Sequence, residues 1–307
     1  MTKLIQNLDK LKNRPFFAFF DAWIYSILDQ LLLQKAASLA YYLILSIFPF
    51  LIALLNILPH TPIGDVNIIA PLTQAFPEEI SRILILFIRD IKVSNSSTLL
   101  SFSLVAGLWS ASSALRQIIR NINFSYDFTK DRSFFSNLAL SLGLTLGLIF
   151  LIILIFITQI FRDQVTQLIN SIPSLKGQFY LAGRFSQLII PLAYMFLSFF
   201  LLYYLCPRKE DRQNIPTQTF LPGAIFSTVS LVIFSQIFKF YISNFSSYAV
   251  TYGSLAGIII FLLWLYLLGL IILLGGALNA NVLRAKKGRL KWPRKESLIK
   301  NLIDPKP

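Results

Sequence analysis

Residues 138–157 read LALSLGLTLGLIFLIILIFI, twenty positions without a single charged side chain. An α-helix needs about 20 predominantly apolar residues to cross the hydrocarbon core of a bilayer. In that core every backbone N–H and C=O must find its partner inside the protein, and a helix pairs them within the segment itself. This stretch therefore predicts a transmembrane helix.

Five further stretches have the same character. The chain has 307 residues, of which 55% are hydrophobic and only 14% are charged, whereas about a quarter of a soluble domain is charged. The six predicted spans are about 36–58, 96–115, 137–160, 185–206, 219–240 and 252–283. The predicted fold class is all-α: a polytopic integral membrane protein with six transmembrane helices plus amphipathic interfacial helices.

The second span is rich in serine. Its small residues Ala106, Ser110 and Ala114 recur every four positions and form one face. Small faces let membrane helices approach each other closely. We therefore expect this helix to be enclosed by the bundle and poorly exposed to lipid. The pair Gly143 and Gly147 is likewise expected to serve helix packing.

Two amphipathic segments precede the first two spans. Residues 15–33 combine many aromatic side chains with Asp21 and Asp29, and residues 78–92 mix charges with a short apolar run. Helices of this kind lie along the membrane surface or cap a bundle. The predicted organisation is an interfacial cytoplasmic region, a six-helix transmembrane domain and a basic cytoplasmic tail, at 1–35, 36–283 and 284–307.

The basic residues predict the orientation in the membrane. With the N-terminus inside, 21 of the 28 Lys and Arg residues fall in cytoplasmic segments and 7 in outer ones. Cytoplasmic loops of membrane proteins carry such an excess. We expect a multi-pass protein of the cell (inner or plasma) membrane with both termini in the cytoplasm. The net charge of +14 then needs no nucleic-acid partner.

The residue inventory argues against an enzyme. His60 is the only histidine and Cys206 the only cysteine, and no acid lies in the apolar part of any span. A histidine-based or cysteine-based metal site and a buried carboxylate relay are therefore not expected. We predict no catalytic residues, no metal and no cofactor, and we disfavour a membrane nuclease or hydrolase.

Polar and backbone-breaking residues inside the spans are the candidates for a substrate path. Broken helices often mark such a path in transporters, although Gly and Pro also serve ordinary packing in membrane helices. Asn279 must find a hydrogen-bond partner on a neighbouring helix or in a polar cavity. The candidates are Ser38, Tyr41, Ser46, Pro49, Trp109, Ser112, Pro222, Gly223, Tyr252 and Asn279.

Two groups of basic residues are candidates for binding anionic lipid head groups. One lies at the end of the second span and the other follows the sixth. Basic residues near the surface attract anionic lipids, and they also anchor topology. The candidates are Arg116, Arg120, Arg284, Lys286, Lys287 and Arg289.

Several motifs together resemble the YihY/BrkB family of bacterial inner-membrane proteins. In chain order they are AASLAYY at 36–42 running into LSIFP at 45–49, WSAS at 109–112 followed by Asn123, Tyr126 and Arg132, LPGA at 221–224, YGSLAG at 252–257 with WLY at 264–266, and 275–280. Their order and spacing agree from about Asp21 to Leu283. Two positions depart from the family pattern: Ala277 stands where an acid is usual, and Arg208 where the Tyr-x-x-Pro-Asn stretch has Asn.

The resemblance implies a six-helix inner-membrane protein from a family described as transporters, once labelled a ribonuclease and linked by name to serum resistance. We expect a transporter or exporter, or a translocator of lipids or amphipathic solutes. The alternative is a non-transporting membrane scaffold or envelope-assembly factor. The expected partners are the lipid bilayer, anionic lipid head groups and a small solute or lipid.

Overall fold

The computed structural model describes residues 15–57, 85, 97–128, 132–148, 150, 178–244 and 254–288. All regular secondary structure in these ranges is helical. In chain order the helices are α1 (Pro15–Asp29), α2 (Leu32–Ile57), α3 (Ser97–Ser125), α4 (Phe134–Leu148), α5 (Gln178–Leu205), α6 (Lys209–Arg212), a 3₁₀ turn (Thr217–Phe220), α7 (Leu221–Asn244) and α8 (Ser254–Lys286). The predicted all-α class is confirmed for this part of the chain.

Two of the described helices are long and apolar enough to cross a membrane, namely Thr217–Tyr241 and Gly257–Lys286. A third candidate is the bent pair Phe19–Asp29 and Leu32–Ile47. Shorter apolar helices cover Phe134–Leu148 and Ile189–Leu205. By length and composition, the described helices thus account for two or three spans of the six predicted.

The break between α1 and α2 is sharp. The two helices are bent by 56°, and Leu31 at the break has a φ of 52°. This left-handed conformation costs a residue other than glycine about 1–2 kcal/mol, so the surrounding packing must hold the bend in place.

Packing between α1 and the end of the bundle provides that support. Ala22 and Ser26 of α1 are buried. The Nδ2 of Asn281 in α8 donates to the carbonyl of Phe19 at 3.0 Å, and the rings of Trp23 and Phe226 meet edge to face at 5.3 Å. The sequence predicts that this segment lies along the membrane surface or caps the bundle, and α1 packs by one side against α7 and α8. Of the second predicted interfacial segment, 78–92, only Ile85 is described.

Helix α8 is the centre of the bundle, since it contacts α1, α2, α3, α7 and the 3₁₀ turn. Its fully buried Leu273 and Ala277 pack with Leu32 and Ala36 of α2. Its Ile272 and Ala280 join a larger cluster built by α3 and α5. Membrane helices gain stability from close van der Waals packing and interhelical hydrogen bonds, and α8 provides both.

Helix α3 is half enclosed. Ala114, Ile118, Ile119 and Ile122 line its buried side, but Val105 and Trp109 on the opposite side are 71% and 55% exposed. The expectation of a helix shielded from lipid is therefore met on one face only. The expected packing at Gly143 and Gly147 is not seen: within 4 Å of where a Cβ would stand there is no described atom.

Candidate functional site

Helices α5, α7 and α8 meet around a buried tyrosine. The Tyr203 hydroxyl donates to the carbonyl of Ile272 at 2.8 Å and pairs with the Ser227 hydroxyl at 2.6 Å. Ser227 also lies 3.3 Å from the carbonyl of Ile271. Gly275 permits this approach, because a Cβ there would overlap both hydroxyl groups. Two carbonyl groups of α8 thus receive donors from both neighbouring helices.

Asn279 binds the beginning of α7 from the side. Its Oδ1 accepts the backbone N–H of Gly223 at 2.6 Å, and its Nδ2 donates to the carbonyl of Phe220 at 3.2 Å. The first N–H groups of a helix have no partner within the helix, so Asn279 acts as a cap supplied by α8. The prediction that Asn279 finds a partner is confirmed, and the partner is a neighbouring helix.

The two residues at the start of α7 have ordinary structural reasons to be there. Pro222 lies in the first helical turn, where a missing N–H breaks no intrahelical bond. Gly223 is buried, and a Cβ on it would overlap the carbonyl of Gly275 and the amide of Asn279. No break in α7 is needed to accommodate either residue.

A second polar contact joins α3 to α4. The hydroxyl groups of Ser112 and Ser141 lie 2.6 Å apart and both residues are completely buried. Arg116 donates to the same Ser112 hydroxyl at 2.7 Å and to the Ser113 hydroxyl at 2.5 Å. Its guanidinium also stands 5.3 Å from the centre of the Trp109 ring.

The outer surface of α2 and α3 is polar and aromatic. Ser38 and Tyr41 of α2 are exposed, as are Trp109 and Arg120 of α3. The Lys35 Nζ lies 3.8 Å from the centre of the Phe124 ring, which joins the two helices at this surface. Among the predicted path residues, Ser38, Tyr41 and Trp109 thus lie on one pair of packed helices.

The remaining predicted residues are separated from this surface or lie outside the described structure. Ser46 is buried and donates to the carbonyl of Leu43 at 2.8 Å. Pro49 lies within α2. Tyr252 and Arg289 fall outside the described residues.

Arg284 has a position that the sequence did not indicate. It is 7% exposed and forms an ion pair with Asp127 at 2.9 Å, while its guanidinium also donates to the carbonyl of Ser125. A head-group role requires an exposed side chain, so the expectation for Arg284 is corrected: its charge is used inside the protein. Lys286 and Lys287, by contrast, are exposed.

Arg132 caps the C-terminal end of α5. One of its terminal nitrogens lies 3.0, 3.2 and 2.6 Å from the carbonyl groups of Leu205, Cys206 and Pro207. A cation at a helix C-terminus is favoured by the helix dipole. Burial lowers the pKa of the Arg132 guanidinium. Cys206 is buried directly after α5.

Nothing in the described ranges brings three His, Cys, Asp or Glu side chains together in a way that could hold a metal ion. The buried polar contacts found there are between hydroxyl groups, amides and backbone carbonyl groups. Their arrangement serves helix packing, and the exposed α2/α3 surface is the part of the predicted set that remains open to a ligand.

The family model described as virulence factor BrkB matches residues 24–298, which is most of the chain. The chain belongs to the BrkB/YihY family. Two relatives that match over most of both chains support this assignment. YfkH of Bacillus subtilis is 32% identical over 83% of this chain and 91% of its own, and a UPF0761 membrane protein of Vibrio campbellii is 30% identical over 86% and 81%.

A UPF0761 membrane protein of Pseudomonas aeruginosa is 35% identical, over 45% of this chain and 32% of its own. No solved structure matches the chain. YfkH is named a ribonuclease-like protein, while the Vibrio and Pseudomonas relatives are named as membrane proteins. This BrkB/YihY member is accordingly a membrane-embedded protein from a family that is not a known enzyme family.

The BrkB/YihY assignment also bears on Ala277. The resemblance leads us to expect an acid at this position, whereas Ala277 is completely buried in one cluster with Leu32, Ala36 and Leu273. A carboxylate in this contact would be desolvated without a charged partner among these side chains. The packing of α8 against α1 and α2 therefore fits the small apolar residue that this member carries.

Proposed function

We propose that this protein translocates a lipid or an amphipathic solute across the cell membrane, with six spans and both termini in the cytoplasm. The six-span arrangement rests on the apolar stretches of the sequence, and the orientation on the excess of basic residues in the inner segments. Lys286 and Lys287 extend exposed from the end of α8, where they suit the head groups of the inner leaflet.

The observation that carries the proposal is the exposed polar and aromatic surface of α2 and α3. Tyr41 is 59% exposed and Trp109 55%, with Ser38 and Arg120 exposed beside them on the same two helices. A surface of this composition in a membrane domain suits a ligand that is itself part polar and part apolar.

Translocation is tested with purified protein in vesicles that carry a fluorescent phospholipid in both leaflets. Dithionite bleaches the outer leaflet, so movement of inner probe outward increases the bleached fraction. We expect the wild-type protein to accelerate this step, and Tyr41→Leu and Trp109→Leu to slow it several-fold. Ile233→Leu, at an exposed apolar site on α7, is the matched control.

Folding of every variant is checked by protection of the buried Cys206 thiol. The same vesicles are loaded with an amphipathic fluorescent dye to test solute export. Folded protein that moves neither the lipid nor the dye, with or without an ion gradient, refutes the proposal. Reporter fusions that put the two termini on opposite sides of the membrane refute the topology.

A scaffold is the second candidate, and one observation favours it. Gly223, Ser112 and Asn279, all expected on a substrate path, have their hydrogen-bonding groups engaged in contacts between helices. A scaffold needs only such packing faces and a basic tail. If replacements on the α2/α3 surface leave the cellular phenotype intact while the protein stays folded, the scaffold is favoured.

A hydrolase is supported only by the ribonuclease-like name of the Bacillus relative. Asp127, one of the two acids in the α3–α4 connection, is paired with Arg284. A purified protein that cleaves RNA, and loses this activity in Asp127→Asn or Asp131→Asn, would revive the hydrolase.

A further inference from the structure

Three cations converge on one exposed surface between α2 and α3. On α3, Arg116 and Arg120 are one helical turn apart, and Phe124 is one turn further on. From α2, the Lys35 Nζ reaches the Phe124 ring at 3.8 Å. Trp109 lies at the other end of the same face, beneath the Arg116 guanidinium. We call Lys35, Arg116 and Arg120, together with the rings of Trp109 and Phe124, the cationic ladder.

The Arg116 side chain follows the usual direction of a long helical side chain, back toward the N-terminal end of α3. An arginine near a helix end extends its charge toward the nearest polar interface. Here the polar end of the bundle lies beyond Ser125, where Arg284 and Asp127 pair. The Arg116 guanidinium points away from that end and contacts Ser112 and Trp109, toward the middle of α3.

The ladder therefore extends from the polar end of the bundle toward its apolar middle. Eight residues separate Phe124 from Arg116, which is about 12 Å along a helix. This length is comparable with the depth of a head-group region and the first part of the acyl chains. A ligand that follows the ladder would have its charge at the cations and its apolar part beside Trp109.

Within the described structure, the three cations have no carboxylate partner. The ion pairs found there use Arg208 and Arg284. Arg116 bonds to neutral hydroxyl groups, and Lys35 faces an aromatic ring. Like charges one turn apart repel each other, so an anion bound between Arg116 and Arg120 would relieve this repulsion.

We propose that Arg116 and Arg120 bind the phosphate of an anionic phospholipid, with its acyl chains lying along the surface of Trp109 and with Lys35 adding positive charge at the Phe124 end of the same surface. Arginine is well suited to this role because its planar fork can donate two parallel hydrogen bonds to one phosphate. The exposed aromatic and apolar side chains on the same face favour a lipid over free phosphate, since they offer a surface for acyl chains. This inference rests on the proposed translocation of lipid, but lipid binding is measured separately from lipid movement.

The test uses quenching of Trp109 fluorescence by phospholipids with brominated acyl chains. Trp23, Trp264 and Trp292 are replaced by Phe in the full-length protein, so that emission reports on this surface alone. We expect brominated phosphatidylglycerol to quench Trp109 at about tenfold lower mole fraction than brominated phosphatidylcholine, because both lipids carry a phosphate but the choline ammonium of the second cancels its charge and is repelled by the cations.

Arg120→Gln and Arg116→Gln should each remove most of this preference, because each removes a positive charge that favours the anionic lipid over the zwitterionic one. Lys239→Gln, which removes an exposed cation at the far end of α7, is the matched control and should leave it unchanged. Equal quenching by both lipids in the folded protein overturns the site. Relief of quenching by millimolar inorganic phosphate overturns the assignment to a lipid.

A second measurement covers the case in which the single-tryptophan protein fails to fold. Native mass spectrometry of protein with its natural tryptophans counts retained phosphatidylglycerol, and Arg120→Gln should retain fewer molecules than Lys239→Gln. Equal retention counts against the site. If the protein retains phosphatidylglycerol but does not move lipid in the dithionite assay, the binding site stands and translocation is rejected. If lipid movement is unchanged in Arg120→Gln, translocation stands and the binding site is rejected.

Discussion

Replacing Asn279 by alanine tests whether this residue holds α7 and α8 together. The substitution removes an acceptor 2.6 Å from the Gly223 N–H and a donor 3.2 Å from the Phe220 carbonyl. Asn279 is completely buried, so water cannot easily replace either bond. A net hydrogen bond is worth about 0.5–1.5 kcal/mol, and an unsatisfied buried partner costs about 1–3 kcal/mol.

Together these losses predict a destabilisation of about 2–3 kcal/mol for Asn279→Ala. At about 2–4 °C per kcal/mol for a domain of 150–250 residues, the apparent Tm should fall by roughly 4–12 °C. The assay is thermal exposure of the buried Cys206 thiol in detergent, followed with a thiol-reactive dye. Cys206 is the only cysteine, so it reports without background from other thiols.

The matched control is Asn214→Ala. Asn214 is exposed, and its amide makes one bond of 3.3 Å to the carbonyl of Glu210. Exposed substitutions of this kind change stability by about 0.5 kcal/mol or less. If both variants shift the Tm equally, the cap that Asn279 provides has no energetic importance and the reasoning fails.

Gly275→Ala should destabilise the protein strongly, because the new methyl group overlaps two hydroxyl groups. Gly143→Ala is the control: its methyl group faces open space in the described structure, so the substitution should be neutral or stabilising by up to about 1 kcal/mol. Thiol-exposure Tm values check the pair, and equal shifts would contradict the packing. Asp127→Asn should cost about 1–2 kcal/mol, since the carboxylate is partly solvated while Arg284 is buried. A double-mutant cycle with Arg284→Gln should show coupling, and additive effects would argue against the pair. Tyr203→Phe removes a buried hydroxyl that binds α7 and α8 and should cost about 1–2 kcal/mol; an unchanged Tm would show that this hydroxyl is dispensable.

The helices follow directly from the sequence, because long apolar stretches leave the chain few alternatives in lipid. The partner of Asn279 was predictable in kind, since a buried amide must be satisfied. Its identity was not, because Gly223 is 56 residues away and only the packing of α7 on α8 brings the two together.

The electrostatics of the site were harder to predict. The positive-inside rule treats Arg284 as one of many tail cations, yet it is buried beside Asp127, 157 residues earlier in the chain. In the same way, Lys35 joins the basic residues of α3 only because α2 packs against α3. Charge counts along a chain give orientation, whereas the pairing of individual charges depends on the tertiary structure.

The central position of α8 bears on how the protein is assembled. Membrane helices insert first and associate afterwards, and α8 is the last described helix to leave the ribosome. Until then, Phe19 has no access to Asn281, which is synthesised 262 residues later. Insertion of the final helix thus converts a loose set of earlier segments into the packed bundle, and a nascent chain stalled before α8 should remain open to proteolysis.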